Sequence, residues 1–180
     1  MSYARHLPVL MYHHVSDKPG QITLSPRTFR AQMKWLAESG WKAVTAAEVE
    51  AFYHGARLPR KSVMLTFDGG WLDNWLQVFP VLQEFNLHAH LFLVTSLISD
   101  GLAVFLQANR CTLMLSVRCW LNKAGLMRSC CAGQKVREMH LSGLVEFHSH
   151  THTHRRWARS LCPVIRRICF VSTFFLVVSG

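Results

Sequence analysis

Four histidines alternate in the seven residues His148-Ser149-His150-Thr151-His152-Thr153-His154. If the segment turns, His150 meets His154 and His148 meets His152 at a spacing of four; if it stays extended, all four imidazoles share one side. Imidazole is the commonest metal ligand, and a catalytic zinc takes three protein ligands while leaving one position for water. The competing reading is a solvated His-rich loop. Metal binding is favoured over it because the tract directly follows an apolar run, Leu144-Val145-Glu146-Phe147-His148, that reads as a buried strand. The second motif is Thr66-Phe67-Asp68-Gly69-Gly70-Trp71-Leu72-Asp73. Asp68 leaves a hydrophobic run at a glycine pair, and glycines allow tight turning and close approach of a ligand to the backbone. A carboxylate there suits a general base and a helix N-cap equally well.

The elements that must position these residues alternate between strand and helix patterns. Leu7 to Tyr12, Ser62 to Phe67, His90 to Thr95 and Leu144 to His148 read as short buried strands. Ser25-Pro26 opens a helix, with Ser as N-cap and Pro at the first helical position; Phe29, Met33, Leu36 and Ala37 form its apolar face, and Gly40 ends it. Thr45 and Glu48 have capping-box spacing for a second helix, with Val49, Phe52 and Tyr53 as apolar positions. A third helix is predicted from Trp71 to Phe85, facing Leu72, Trp75, Leu76, Phe79 and Leu82 inward, with Pro80 kinking or splitting it. A short fourth helix is expected from Val136 to Ser142, ended by Gly143. This rhythm predicts an α/β fold with a parallel sheet or barrel, and ligands bind at the carboxyl ends of such strands, where both motifs fall.

Composition bounds the function classes. The chain has 180 residues, half of them hydrophobic and 17% charged, enough for one core and too apolar for wholesale disorder. No run reaches the ~20 apolar residues of a membrane span, and the first residues lack a signal-peptide core, so a cytoplasmic location is expected. The net charge of +10 is lopsided: residues 1–100 carry 9 basic and 8 acidic side chains, residues 101–180 carry 11 and 2. All six cysteines also lie in the second part, at spacings that fit no paired zinc-ribbon pattern, and read as free thiols. Segments 102–134 and 158–180 show no clear period, and a frameshifted stretch explains them slightly better than a lineage-specific insertion. The apolar run Ile168 to Val178 is too short to span a bilayer and reads as a buried edge strand or an aggregation-prone end. Arginines such as Arg155, Arg156, Arg166 and Arg167 raise a nucleic-acid reading, but no nucleic-acid-binding motif accompanies them and none is expected to bind.

Taken in order, Leu10-Met11-Tyr12-His13-His14-Val15, Ser25-Pro26-Arg27-Thr28-Phe29, Leu65-Thr66-Phe67-Asp68 and His150-Thr151-His152-Thr153-His154 resemble the polysaccharide deacetylase family. These are the NodB-homology carbohydrate esterases, in particular the branch of poly-N-acetylglucosamine deacetylases. The resemblance covers residues 7–100 and 135–157. It implies a single domain over residues 1–180 with a distorted (β/α) barrel, a divalent metal, usually zinc, and hydrolysis of N-acetyl groups on a glycan. By position it implies Asp68 as general base and His150 and His154 as metal ligands. It also leaves His13, His14 and Trp71 near the substrate, with strand packing as the other role for one of the two histidines, and Thr151 fixing the loop through its hydroxyl.

Two departures accompany the resemblance. Gly69 stands where the family's T-F-D-D-G motif has its ligand Asp, so coordination must come from Asp68 itself, from Asp73 reaching in, or from His148 completing a three-histidine site. The family's later motifs, including that of its general-acid histidine, have no match after His154, which predicts a barrel incomplete at its C-terminal side. A non-catalytic relative that binds metal or carbohydrate without turnover is therefore the alternative, and a small non-carbohydrate amide remains a possible substrate.

Overall fold

A computed structural model of the chain describes residues 3–20, 22–98 and 133–154, and the backbone of three short strands outside those ranges. In chain order the elements are β1 (His6–Leu7), β2 (Val9–Tyr12), β3 (His14–Val15), β4 (Thr23–Leu24), α1 (Pro26–Glu38), β5 (Lys42–Ala43), α2 (Ala46–Tyr53) and β6 (Ser62–Gly69). A π-helical turn at Asn74–Val78 then leads into α3 (Phe79–Phe85), followed by β7 (Ala89–Leu93) and a 3-10 turn at Thr95–Leu97. After β8 (Trp120–Leu121) and β9 (Met127–Arg128) come α4 (Gly133–Leu141), β10 (Val145–Ser149) and β11 (Val178–Ser179).

The central sheet runs β10-β7-β6-β2, with β5 also beside β6, and every pairing in it is parallel. Parallel strands need crossovers, and the helices between them supply the cover that makes the expected α/β class. One sheet face, with Val63, Leu65, Phe67, Leu91, Leu93 and Val145, packs under α1 and α3 through Phe29, Met33, Leu36, Phe79 and Leu82. A smaller cluster of Leu7, Val44, Phe52 and Leu58 lies beside it.

Local chemistry sets the helix ends. The Ser25 hydroxyl accepts from the Thr28 amide, with Pro26 opening α1, and Gly40 follows the helix at φ +73°. Thr45 and Glu48 form the full capping box, each side chain accepting from the other's backbone amide. Thr45→Ala is expected to cost about 1 kcal/mol in denaturant unfolding. A cost below a few tenths would mean that tertiary packing alone holds α2.

Several expectations change in detail. The predicted third helix splits just before Pro80, as proline's missing N–H requires, but the break is a π turn in which the Phe79 amide bonds Asn74 O. The widened turn rotates the face that follows it, so Val78, Phe79 and Leu82 are buried while Leu76, predicted inward, is 53% exposed. Tyr53 is likewise exposed, because α2 ends there and Phe52, with Val49 beside it, reaches the core. The first predicted strand is not buried throughout: β2 pairs only with β6 among the described residues, and Leu10 and Met11 are exposed. Most of the atypical segments 102–134 and 158–180, with all six cysteines and most of the apolar run Ile168 to Val178, lies outside the described residues. Within that run's end, β11 pairs antiparallel with β1.

Candidate active site

The parallel sheet carries both chemical motifs to the same end. β6 delivers Asp68 at its C-terminus, and the register Asp68↔Phe92 and Phe92↔His148 aligns the ends of β6, β7 and β10. The chain leaves β6 through Gly69 at φ +104° and Gly70 at φ +69°, conformations that L side chains rarely adopt. Gly70 also lets Leu93 approach, since a Cβ there would lie 2.4 Å from Leu93 Cδ2. At Gly69 the obstruction is Trp71: a Cβ would fall 2.2 Å from indole Nε1 and 2.6 Å from Cε2. The space into which a side chain at position 69 would project is therefore filled by the buried Trp71 ring.

Trp71 belongs to a knot of rings and hydrogen bonds at this mouth. Its ring lies 4.9 Å from that of His14 and 5.7 Å from that of His13, centroid to centroid. Asn74, fully buried, accepts from the Trp71 amide at 3.2 Å and donates to His13 O and Asp73 Oδ1 at 3.3 Å. His14 Nδ1 donates to Asp73 Oδ2 at 2.7 Å. Asp73 is thus held by His14, and His13 and Trp71 lie beside that pair. Asn74 went unread in the sequence, because nothing in its spacing marks an amide that bolts three loops together.

The four alternating histidines separate into three environments. The strand ladder continues past β10, with the His150 amide donating to Leu93 O at 2.7 Å and the Ser96 amide to His152 O at 3.0 Å. His152 Nδ1 is then bonded to Thr95 Oγ1 at 3.0 Å. His148 turns toward β7, its Nε2 3.2 Å from His90 Nδ1 and its ring tilted against Phe92. His150 and His154 come together with ring centroids 5.0 Å apart. The Thr151 hydroxyl accepts from the His154 amide at 3.0 Å, and Thr151 and His154 take left-handed φ of +67° and +53°. A non-glycine residue in that region carries local strain, which the Thr151 bond and the Thr95 contacts offset.

Asp68 faces this histidine pair. Burial pushes its carboxyl above the usual carboxylate range, while positive charge on His150 and His154 pulls it down. A half-buried carboxylate and two imidazoles make a donor set that fits a divalent cation of the zinc type, while position 69 offers no ligand and its space is taken by Trp71. In the metal-free chain the raised carboxyl has a definite consequence. Its stabilising contribution is complete below the unfolded-state pKa near ~3.9 and is lost as pH rises through the raised folded value. Asp68→Asn, melted in chelator, is therefore expected to gain thermal stability over the parent at neutral pH and to lose that advantage toward pH ~4. A parent more stable than the variant at pH 7 would contradict the burial argument.

A model of the polysaccharide deacetylase family matches residues 55–168. The chain belongs to that family, whose members are typically metal-dependent. It is 39% identical over 81 residues to the poly-beta-1,6-N-acetyl-D-glucosamine N-deacetylase of Escherichia coli K12, covering 43% of this chain and 12% of that protein. To the enzyme of the same name in Staphylococcus epidermidis it is 27% identical over 130 residues, covering 72% of this chain and 37% of that one. The chain thus spans well under half the length of these curated relatives. Among solved structures, IcaB from Ammonifex degensii superposes with a TM-score of 0.64 at 27% identity, over 83% of this chain and 54% of that one. The Streptococcus pyogenes deacetylase PplD superposes at 0.65 with 20% identity, over 89% and 62%, a likeness of fold. The fold is the NodB-like α/β fold that the motif order led one to expect.

Proposed function

We propose that the chain hydrolyses the N-acetyl group of an N-acetylated glycan at a divalent cation, most simply zinc, held by His150 and His154 next to Asp68. The observation that carries this reading is the convergence of a half-buried carboxylate and two paired imidazoles at the C-terminal end of the parallel sheet. A cation held there supplies Lewis-acid polarisation of the amide carbonyl and makes water more acidic. Asp68, its basicity raised by burial, takes the proton as water oxygen bonds the carbonyl carbon. Asp68 then passes that proton to the leaving nitrogen as the carbon–nitrogen bond breaks, giving acetate and a free amine. His14, with Nδ1–H donated to Asp73, forms with His13 and Trp71 the polar-aromatic wall against which a sugar ring can rest. His152 and His148, engaged with Thr95 and His90, leave the ligand role to His150 and His154.

The relatives' names support a glycan as substrate, and a smaller amide fits the same chemistry. A second reading, metal or sugar binding without turnover, is favoured by Trp71 occupying the space beside Gly69. Incubation with N-acetylglucosamine oligomers separates the two. Acetate and primary amine should appear in equal amounts, stop on chelation and return with zinc. Zinc bound to the chain with no acetate from any N-acetylated glycan or small acetamide would establish the second reading.

A further inference from the structure

On the sheet face opposite α1 and α3, His88, His90 and Glu146 bring their ligand atoms within 4.8 Å of one another. His148, from the same strand as Glu146, lies outside that group but turns toward His90 and Glu146. His90 is fully buried, and its Nε2 lies 2.9 Å from Val44 O. A carbonyl only accepts, so Nε2 carries the proton and the Nδ1 lone pair points into the cluster, as a backbone carbonyl fixes the ring of a metal-ligating histidine. That lone pair lies 3.2 Å from His148 Nε2 and 3.5 Å from Glu146 Oε2. Glu146 Oε1 lies 3.2 Å from His88 Nε2, a buried nitrogen that makes no hydrogen bond, and Glu146 Oε2 lies 3.9 Å from His148 Nε2. Ligands ~2.0–2.1 Å from a tetrahedral zinc stand ~3.4 Å apart. These separations of 3.2 to 3.9 Å bracket that edge.

We propose that His88, His90 and Glu146, with His148 turned in beside His90, form a second divalent-metal site of the zinc type, structural rather than catalytic. It lies deeper than the mouth, with only His148 at the level of Asp68. His90 pairs with Thr66, two residues before the Asp68↔Phe92 level, which sets it roughly 6.6 Å deeper along the strands. Its groups link β7 to β10, and the Ala46 amide donating to Glu146 Oε2 at 3.1 Å ties in the start of α2. Three imidazoles around one carboxylate, with a lone pair aimed at a carboxylate oxygen, are electrostatically completed by a cation. The alternative is an ion-paired, metal-free polar cluster. The sequence carried a signal for the site that went unused: His88 and His90 two apart, and Glu146 and His148 two apart, put each pair on one face of its strand.

The test uses the full chain with the mouth ligands removed, His150→Ala/His154→Ala, so it does not depend on the proposed deacetylation. After chelator treatment, this variant should take up one equivalent of zinc, and saturating zinc should raise its melting temperature by ~5–10 °C. Adding His88→Ala should weaken zinc binding at least about tenfold and remove that rise. Glu146→Gln should do the same, and if loss of the Ala46 contact unfolds it, His88→Ala decides alone. No zinc uptake by the double variant, or undiminished uptake after His88→Ala, would overturn the proposal. In either case acetate release by the unaltered chain would still stand or fall separately.

Discussion

Asp68→Asn is expected to lower acetate release by ~10²–10⁴-fold, the contribution of a positioned general base, without harming the fold. The amide has nearly the shape of the carboxyl but cannot take a proton from water. Loss of activity with gain of stability would be the signature of a group held against its own solvation, since the Asp68 carboxyl is pushed up by burial. The two readouts together exclude a purely structural role, in which activity and stability fall together. A variant retaining more than about a tenth of parental kcat would remove Asp68 from the proton-transfer step.

The second large effect concerns Gly69 and Trp71 as a pair. Gly69→Asp alone supplies a carboxylate, but its Cβ would meet the Trp71 indole at 2.2 Å, and the buried ring has to leave. Overpacking of this kind costs ~1–3 kcal/mol, so the single variant should be less stable with little gain in zinc affinity. In Gly69→Asp/Trp71→Ala the indole is gone, and although φ +104° at position 69 still strains an L side chain, zinc affinity should rise on the order of tenfold or more as a third ligand is completed. The informative quantity is the non-additivity of a double-mutant cycle read by zinc titration. Equal tightening by Gly69→Asp with and without Trp71 would show that the indole does not guard that position.

Much of this arrangement was legible where the physics is local. Ser25-Pro26 and Thr45 with Glu48 specify their helix starts through bonds spanning three residues, and both formed as read. The alternation of apolar strands and amphipathic helices gave the parallel sheet, and the Thr151 hydroxyl found the loop amide it was expected to hold. What the sequence concealed depends on partners far along the chain. Four histidines in one tract look equivalent until the register His148↔Phe92 points one toward His90 and Thr95 captures another. The exposure of Leu10 and Met11 follows from which strands flank β2, and a π turn is not visible in a hydrophobic period. The filling of the Gly69 space by Trp71 is local in sequence, but the loop that places the indole is anchored through Asn74 to His13, sixty-one residues away.

The central claim is that His150 and His154 hold a metal beside Asp68, and zinc content after chelation, reloading and dialysis tests it most directly. The parent chain and His150→Ala/His154→Ala should differ by one equivalent of zinc per chain, and acetate release should vanish with that equivalent. Equal zinc content in the two proteins would contradict the account, whatever activity either one shows.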